Sequence, residues 1–152
     1  MPAHPRVVLL VGLPGSGKST WLRERGIIAI SSDEVRRLLS GSAEDQSINA
    51  RVFDTVRYLL RQRLETSQPV SFIDATNLTR WERAPYIAMA KEFDAAVDAV
   101  YFDVPLDECK RRNAARDRVV PDEAMDKLAS KLEPPSVDEG LARVVAPGEF
   151  VD

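Results

Sequence analysis

Residues 7 to 26 read VVLLVGLPGSGKSTWLRERG, and within them Gly12 to Ser19 fit the pattern G-x-x-x-x-G-K-[ST]. The continuous apolar run RVVLLV (6 to 11) precedes the pattern and a helical run follows it, which dictates a buried strand, a tight turn and a helix beginning near Gly17. The glycines let the backbone curl so that successive N–H groups point inward, and the helix adds its positive end. The stretch from Gly12 through Pro14, Gly15, Ser16 and Gly17 is therefore an anion cradle. With a nucleoside triphosphate in it, Lys18 reaches between the β- and γ-phosphates, the Ser19 hydroxyl ligates Mg²⁺ and Thr20 touches the α-phosphate.

Short apolar runs then alternate with longer helical patterns, the signature of an α/β fold with a parallel β-sheet flanked by helices. IIAI (27 to 30) reads as a second strand, and DEVRRLLSG from Asp33 as a short helix stopped by Gly41. Ile48, Val52, Val56, Leu60 and Leu64 recur at four-residue spacing and mark a long amphipathic helix over 47 to about 66. VSFI (70 to 73) is a third strand ending at Asp74, and Thr79 is placed to cap the next helix. AVDAVYFDV (96 to 104) is a fourth strand. Helical residues run from Leu106 to about Arg116, another helix has Pro121 near its first turn, and RVV (143 to 145) is a candidate edge strand.

The 152 residues suit a single domain, and no apolar run approaches the ~20 residues that span a bilayer. MPAHPR has no apolar stretch before Val7, so a cytoplasmic location without membrane contact is expected. Cys109 is the only cysteine and His4 the only histidine, which leaves no internal disulfide and no zinc cluster; Cys109 reads as an inert helix residue. A net charge of −3 argues against a protein that coats nucleic acid, though not against a local basic cleft.

In a parallel α/β sheet ligands bind beyond the carboxyl ends of the strands. Asp33 follows the second strand, where a carboxylate can take the proton of an attacking hydroxyl or merely cap its helix. Arg36 projects from the same face one turn later. Asp74 follows the third strand, in position to hold Mg²⁺ through water, and Thr76 and Asn77 either orient an acceptor or shape the loop. In CKRRNAARDRVVP (109 to 121), Arg112 and Arg116 share a helical face, with Arg111 and Arg118 nearby. Such arginines fold over ATP and neutralise a transferring phosphoryl group, or form a solvated face.

Together GLPGSGKST, ISSDEVRRLL, DATN and RRNAARDRVVP resemble the kinase domain of the polynucleotide 5′-hydroxyl kinases, including the phage enzyme and the bacterial RNA-repair kinases. The likeness covers nearly the whole chain, and EPPSVDEG resembles the Pro-x-x-x-Glu-Gly element that closes related small P-loop kinases. It implies a P-loop NTPase kinase fold over residues 1–152, with an Arg-bearing helical lid at about 109–132. It also implies ATP and Mg²⁺ as donor and cofactor, Asp33 as general base, Arg36 on the phosphate beside a DNA or RNA 5′-hydroxyl, and Arg112 and Arg116 on ATP. No phosphatase or ligase segment is recognised, so separate repair proteins are expected to heal the other ends. Two other readings remain open on sequence: a kinase for a small-molecule alcohol such as a sugar, antibiotic or nucleoside, and a regulatory ATPase.

Overall fold

The computed structural model describes residues 4–116 and 119–151. Its strands are β1 (Arg6–Val11), β2 (Ile30–Ser31), β3 (Val70–Asp74), β4 (Ala96–Tyr101) and β5 (Arg143–Val145). Among the described residues they form one parallel sheet in the order β2-β3-β1-β4-β5. The helices are α1 (Lys18–Glu24), α2 (Ser32–Ser40), α3 (Asn49–Glu65), α4 (Arg80–Glu92), α5 (Leu106–Ala114) and α6 (Asp122–Lys131).

The central place of β1 explains its unbroken apolar run. Val7, Leu9 and Val11 pack with Val52, Val56, Leu60, Tyr86 and Ala90 on the α3 and α4 side. Val8 and Leu10 pack with Trp21, Phe72, Phe102 and Phe150 on the α1 side, where the Trp21 ring meets Phe102 and Phe150 edge-on at 5.8 and 5.5 Å. A third cluster of Leu13, Leu78, Cys109 and Met125 lies beneath α5 and α6, which places the lid helices against the phosphate-binding turn.

The sheet also holds a charge in its interior. Asp98 on β4 is wholly buried, accepting from Arg6 Nε and Nη2 at 3.0 and 2.7 Å, and Arg143 Nε approaches it at 3.1 Å. A buried carboxylate is tolerated only with such partners.

Three element boundaries differ from the sequence expectation. The second strand shrinks to Ile30–Ser31, because it pairs only with the end of β3 at Ile73 and Asp74; Ile28 is 95% exposed. The fourth strand stops at Tyr101, opposite Val11, where β1 itself ends. The α2 helix starts at Ser32 and not at Asp33, with the Ser31 side chain accepting from the Glu34 N–H. By contrast, Gly41 ends α2 in the left-handed conformation and Thr79 caps α4, as read from the sequence.

Candidate active site

All strands point the same way, so Val11, Ser31, Asp74 and Tyr101 bring their following residues to one rim. The phosphate-binding turn occupies its middle. Gly17 caps α1 with a φ of 103°, and Gly15 has a φ of 82°. A Cβ on Gly15 would stand 2.4 Å from the Cys109 carbonyl oxygen, so the close seating of α5 on the turn excludes any other residue there. Cys109 itself is buried, with its thiol directed at the Val104 carbonyl.

Lys18 folds across this turn, and its ammonium donates to the Gly12 and Leu13 carbonyls at 2.7 and 2.9 Å. Burial pulls it down to about 8; Asp74 opposes that pull, Arg116 adds to it, and Cys109 and Asp33 oppose it more weakly. At the end of β3, burial pushes the Asp74 carboxyl above the usual carboxylate range, with Lys18 and Arg116 drawing it down and Asp33 raising it further. Residues from four separate segments therefore share one electrostatic site: Lys18, Asp33, Asp74 and Arg116. Such coupling of buried titratable groups at a strand-end rim is characteristic of sites that handle charge.

Because Ser31 caps α2, Asp33 is not consumed as a cap. Its carboxylate accepts from Arg36 Nη1 at 2.8 Å, while Arg36 Nη2 donates to Asn49 Oδ1 at 2.8 Å. Arg36 is only 4% exposed, enclosed between Asp33 and the start of α3, a burial that its place in the sequence did not indicate. Among the described residues, its Nε has no acceptor.

From the lid side, Arg112 approaches the Ser16 carbonyl through Nη1 at 3.5 Å and is held by Glu108 at 2.9 Å; Arg111 also pairs with Glu108. The lid turn is tied by a residue that sequence reasoning passed over. Asn113, buried at the end of α5, donates to the Val120 carbonyl at 2.6 Å and accepts from the Val120 N–H at 3.1 Å. That clasp joins the two sides of the turn on which Arg116 sits. Arg118 lies outside the described residues.

The loop after Asp74 serves two ends differently. Thr76 is half-buried, and its carbonyl accepts from the Gly12 N–H at 3.1 Å, tying the loop to the phosphate-binding turn. Of the two roles open for Asn77, the structure shows the loop-shaping one: it is 2% exposed, has a φ of 49°, and its amide nitrogen donates to the Leu10 and Ala75 carbonyls. Asn tolerates that left-handed backbone better than most residues. Its own carbonyl accepts from Arg83 at 2.8 Å. Arg83 is wholly buried and also donates through Nε and Nη2 to the two oxygens of Glu139, each at 2.8 Å. The Glu-Gly element of the tail thus locks the site loop from beneath. Arg83 had a readable signal, since it shares the apolar stripe of Tyr86, Ile87 and Ala90 on α4.

Ser19 and Asp74 supply a hydroxyl and a carboxylate, the hard oxygen donors magnesium takes when substrate phosphates and water complete its shell. No cluster of three or more His, Cys, Asp or Glu side chains occurs among the described residues, so a cage built by protein alone is not what these residues offer. Nor, among them, is any helix long and apolar enough to cross a membrane.

A sequence model of the family described as the AAA domain matches residues 7–135. The chain belongs to the AAA domain family. This AAA domain is 27% identical over 146 residues to the bifunctional polynucleotide phosphatase/kinase of Schizosaccharomyces pombe, a match covering 93% of this chain and 33% of that protein. It is 29% identical over 143 residues to the cytidylate kinase of Ignicoccus hospitalis, covering 84% of this chain and 74% of that one. In three dimensions it superposes on a chain of the Pnkp1/Rnl/Hen1 RNA repair complex with a TM-score of 0.74 and 26% identity, over 87% of this chain and 45% of the other. The AAA domain therefore spans a third of the first relative and less than half of the third. Its sequence and fold are polynucleotide-kinase-like, and its cradle and sheet are those of the P-loop kinases.

Proposed function

We propose that this AAA domain transfers the γ-phosphate of ATP to the 5′-hydroxyl end of a DNA or RNA strand. The observation that carries the reading is the shared electrostatic site of Lys18, Asp33, Asp74 and Arg116 on a phosphate-binding turn. A nucleotide switch needs no proton acceptor beside its cradle, whereas phosphoryl transfer to an alcohol does. The similarity to a polynucleotide phosphatase/kinase and to a chain of an RNA repair complex supports a nucleic-acid acceptor.

In this reading Asp33 accepts the hydroxyl proton as the acceptor oxygen bonds to the γ-phosphorus and the bond to the bridging oxygen of ADP breaks. Lys18, with Arg116 and Arg112 from the lid, balances negative charge on the transferring group and the leaving diphosphate. Ser19 and, through water, Asp74 would hold Mg²⁺, which would supply charge neutralisation on the phosphate oxygens. The phosphate next to the acceptor hydroxyl takes the place of Asn49 on Arg36, a charge-assisted bond in exchange for a neutral one. Phosphatase and ligase activities that finish the repair of such ends would act beside it.

The direct test offers γ-labelled ATP and Mg²⁺ with separate acceptors. The expected result is label on a 5′-hydroxyl oligonucleotide and on a nucleoside 3′-monophosphate, little on the nucleoside and none on the 5′-phosphorylated oligonucleotide. The advantage of the 3′-monophosphate over the nucleoside should fall in Arg36→Ala, since such a contact is worth roughly 1.5–3 kcal/mol. Label confined to a sugar, an amino alcohol or a nucleoside 5′-monophosphate would overturn the polynucleotide acceptor. Acceptor-independent hydrolysis alone would leave a regulatory ATPase.

The position of Lys18 gives a second test. Pulled down to about 8 by burial, it is half deprotonated near that pH in the free protein and largely neutral above it. A bound triphosphate favours the ammonium and lifts it back, so binding above pH 8 should take up a proton. Calorimetry at pH 8.5 in buffers of different ionisation enthalpy should report this uptake, and it should vanish in Lys18→Arg, whose guanidinium stays charged. Equal uptake in both proteins would assign the proton elsewhere.

A further inference from the structure

Trp81 is 84% exposed in the first turn of α4, and its position in the fold gives it a use. α3 and α4 both start at the rim where the strands end and run back toward the strand starts, so they lie parallel. The Arg61–Glu92 ion pair, at 3.0 Å, joins them side by side. Arg61 lies as far along α3 as Glu92 does along α4, which sets the first residues, Asn49 and Arg80, level with each other. Asn49 is the residue that touches Arg36, so the start of α4 stands at the same rim as the guanidinium assigned to the acceptor's phosphate, across the gap that the ion pair bridges.

The direction of the ring follows from helix geometry. Arg83, Tyr86, Ile87 and Ala90 are the buried face of α4, and Trp81 falls outside that stripe. Helical side chains tilt toward the N-terminus, so in the first turn Trp81 is inclined toward the rim end of α4 on its solvent side. Its neighbour Arg80 is engaged with Asp138 at 3.3 Å, which leaves the indole as the open binding group of that turn.

We infer that Trp81 is a stacking platform for a nucleobase of the acceptor strand, one lying 3′ to the phosphate held by Arg36. The inference rests on the polynucleotide reading above and adds the part of the substrate beyond its first nucleotide. Stacking on an aromatic face is tolerant of base identity and independent of counterion release. It lets a chain of net charge −3 hold a strand without a long track of cationic contacts.

The test compares KM for a 5′-hydroxyl trinucleotide with KM for a nucleoside 3′-monophosphate. The wild-type protein should prefer the trinucleotide. That preference should fall about tenfold in Trp81→Ala and largely return in Trp81→Tyr, which keeps an aromatic face. Binding of the trinucleotide should also quench the wild-type tryptophan emission; in Trp81→Tyr, where only the buried Trp21 remains, the quenching should disappear. Labelling of the trinucleotide with the same preference in Trp81→Ala, or quenching that survives in Trp81→Tyr, would overturn the stacking site alone. A wild-type protein that labels no nucleic acid would overturn the polynucleotide reading itself.

Discussion

Lys18→Ala is expected to lower phosphoryl transfer by about 10²–10³-fold, the cost of removing one preorganised charge from the transferring group. The fold should survive the change. The ammonium is held by the Gly12 and Leu13 carbonyls, but burial disfavours its charged form strongly enough to bring it to about 8, so the free protein has little to lose when the charge is removed. A bound triphosphate reverses that balance, because its negative charge is what the buried ammonium lacks. Thermal unfolding of the free protein should therefore shift little, while the stabilisation it receives from ATP and Mg²⁺ should drop sharply. A variant that keeps more than about a tenth of the wild-type rate would remove Lys18 from the donor site.

Much of this arrangement is legible in the chain because the signals are local. The phosphate-binding turn is a contiguous pattern, β1 is apolar on both sides because both faces of the sheet are covered, and α3 repeats its core residues every fourth position. What was missed depends on partners distant in sequence. Ile28 reads as strand, yet β3 meets β2 only at Ile73 and Asp74, and no local feature of IIAI reports where a neighbour ends. Asn77 reads equally as an acceptor-orienting or a loop-shaping residue, and only the bond of its amide nitrogen to Leu10, on another strand, shows the second role. The burial of Arg36 depends on Asn49, which comes from the next helix. Arg83 belongs with Glu139, far along the chain, and only its place on an apolar stripe hints that it is buried.

The choice between Ser31 and Asp33 as the cap of α2 bears on chemistry as well as on a boundary. Either residue type caps well, so sequence leaves a capping role open for Asp33. With Ser31 bonded to the Glu34 N–H, the Asp33 carboxylate is turned to Arg36 and to the charges around Lys18 and Asp74. The cap made by Ser31 is what lets the Asp33 carboxylate turn toward the rim.

Asp33→Asn should therefore separate chemistry from binding. Asparagine keeps an oxygen for Arg36 Nη1, so the local geometry is preserved, but the buried guanidinium loses a charged partner, which should cost about 1–3 kcal/mol of stability. Affinity for ATP should persist, since the cradle and its lysine are on other elements. Transfer should fall by about 10²–10⁴-fold, because an amide cannot take the hydroxyl proton. The substitution also removes a negative charge that raises the Asp74 carboxyl. In the variant that carboxyl should titrate at lower pH than in the wild type, a shift that carbon-detected NMR of the aspartate side chains can follow. A variant that loses ATP binding, or one that transfers at the wild-type rate, would make Asp33 a structural partner of Arg36 and leave the proton of the acceptor without this base.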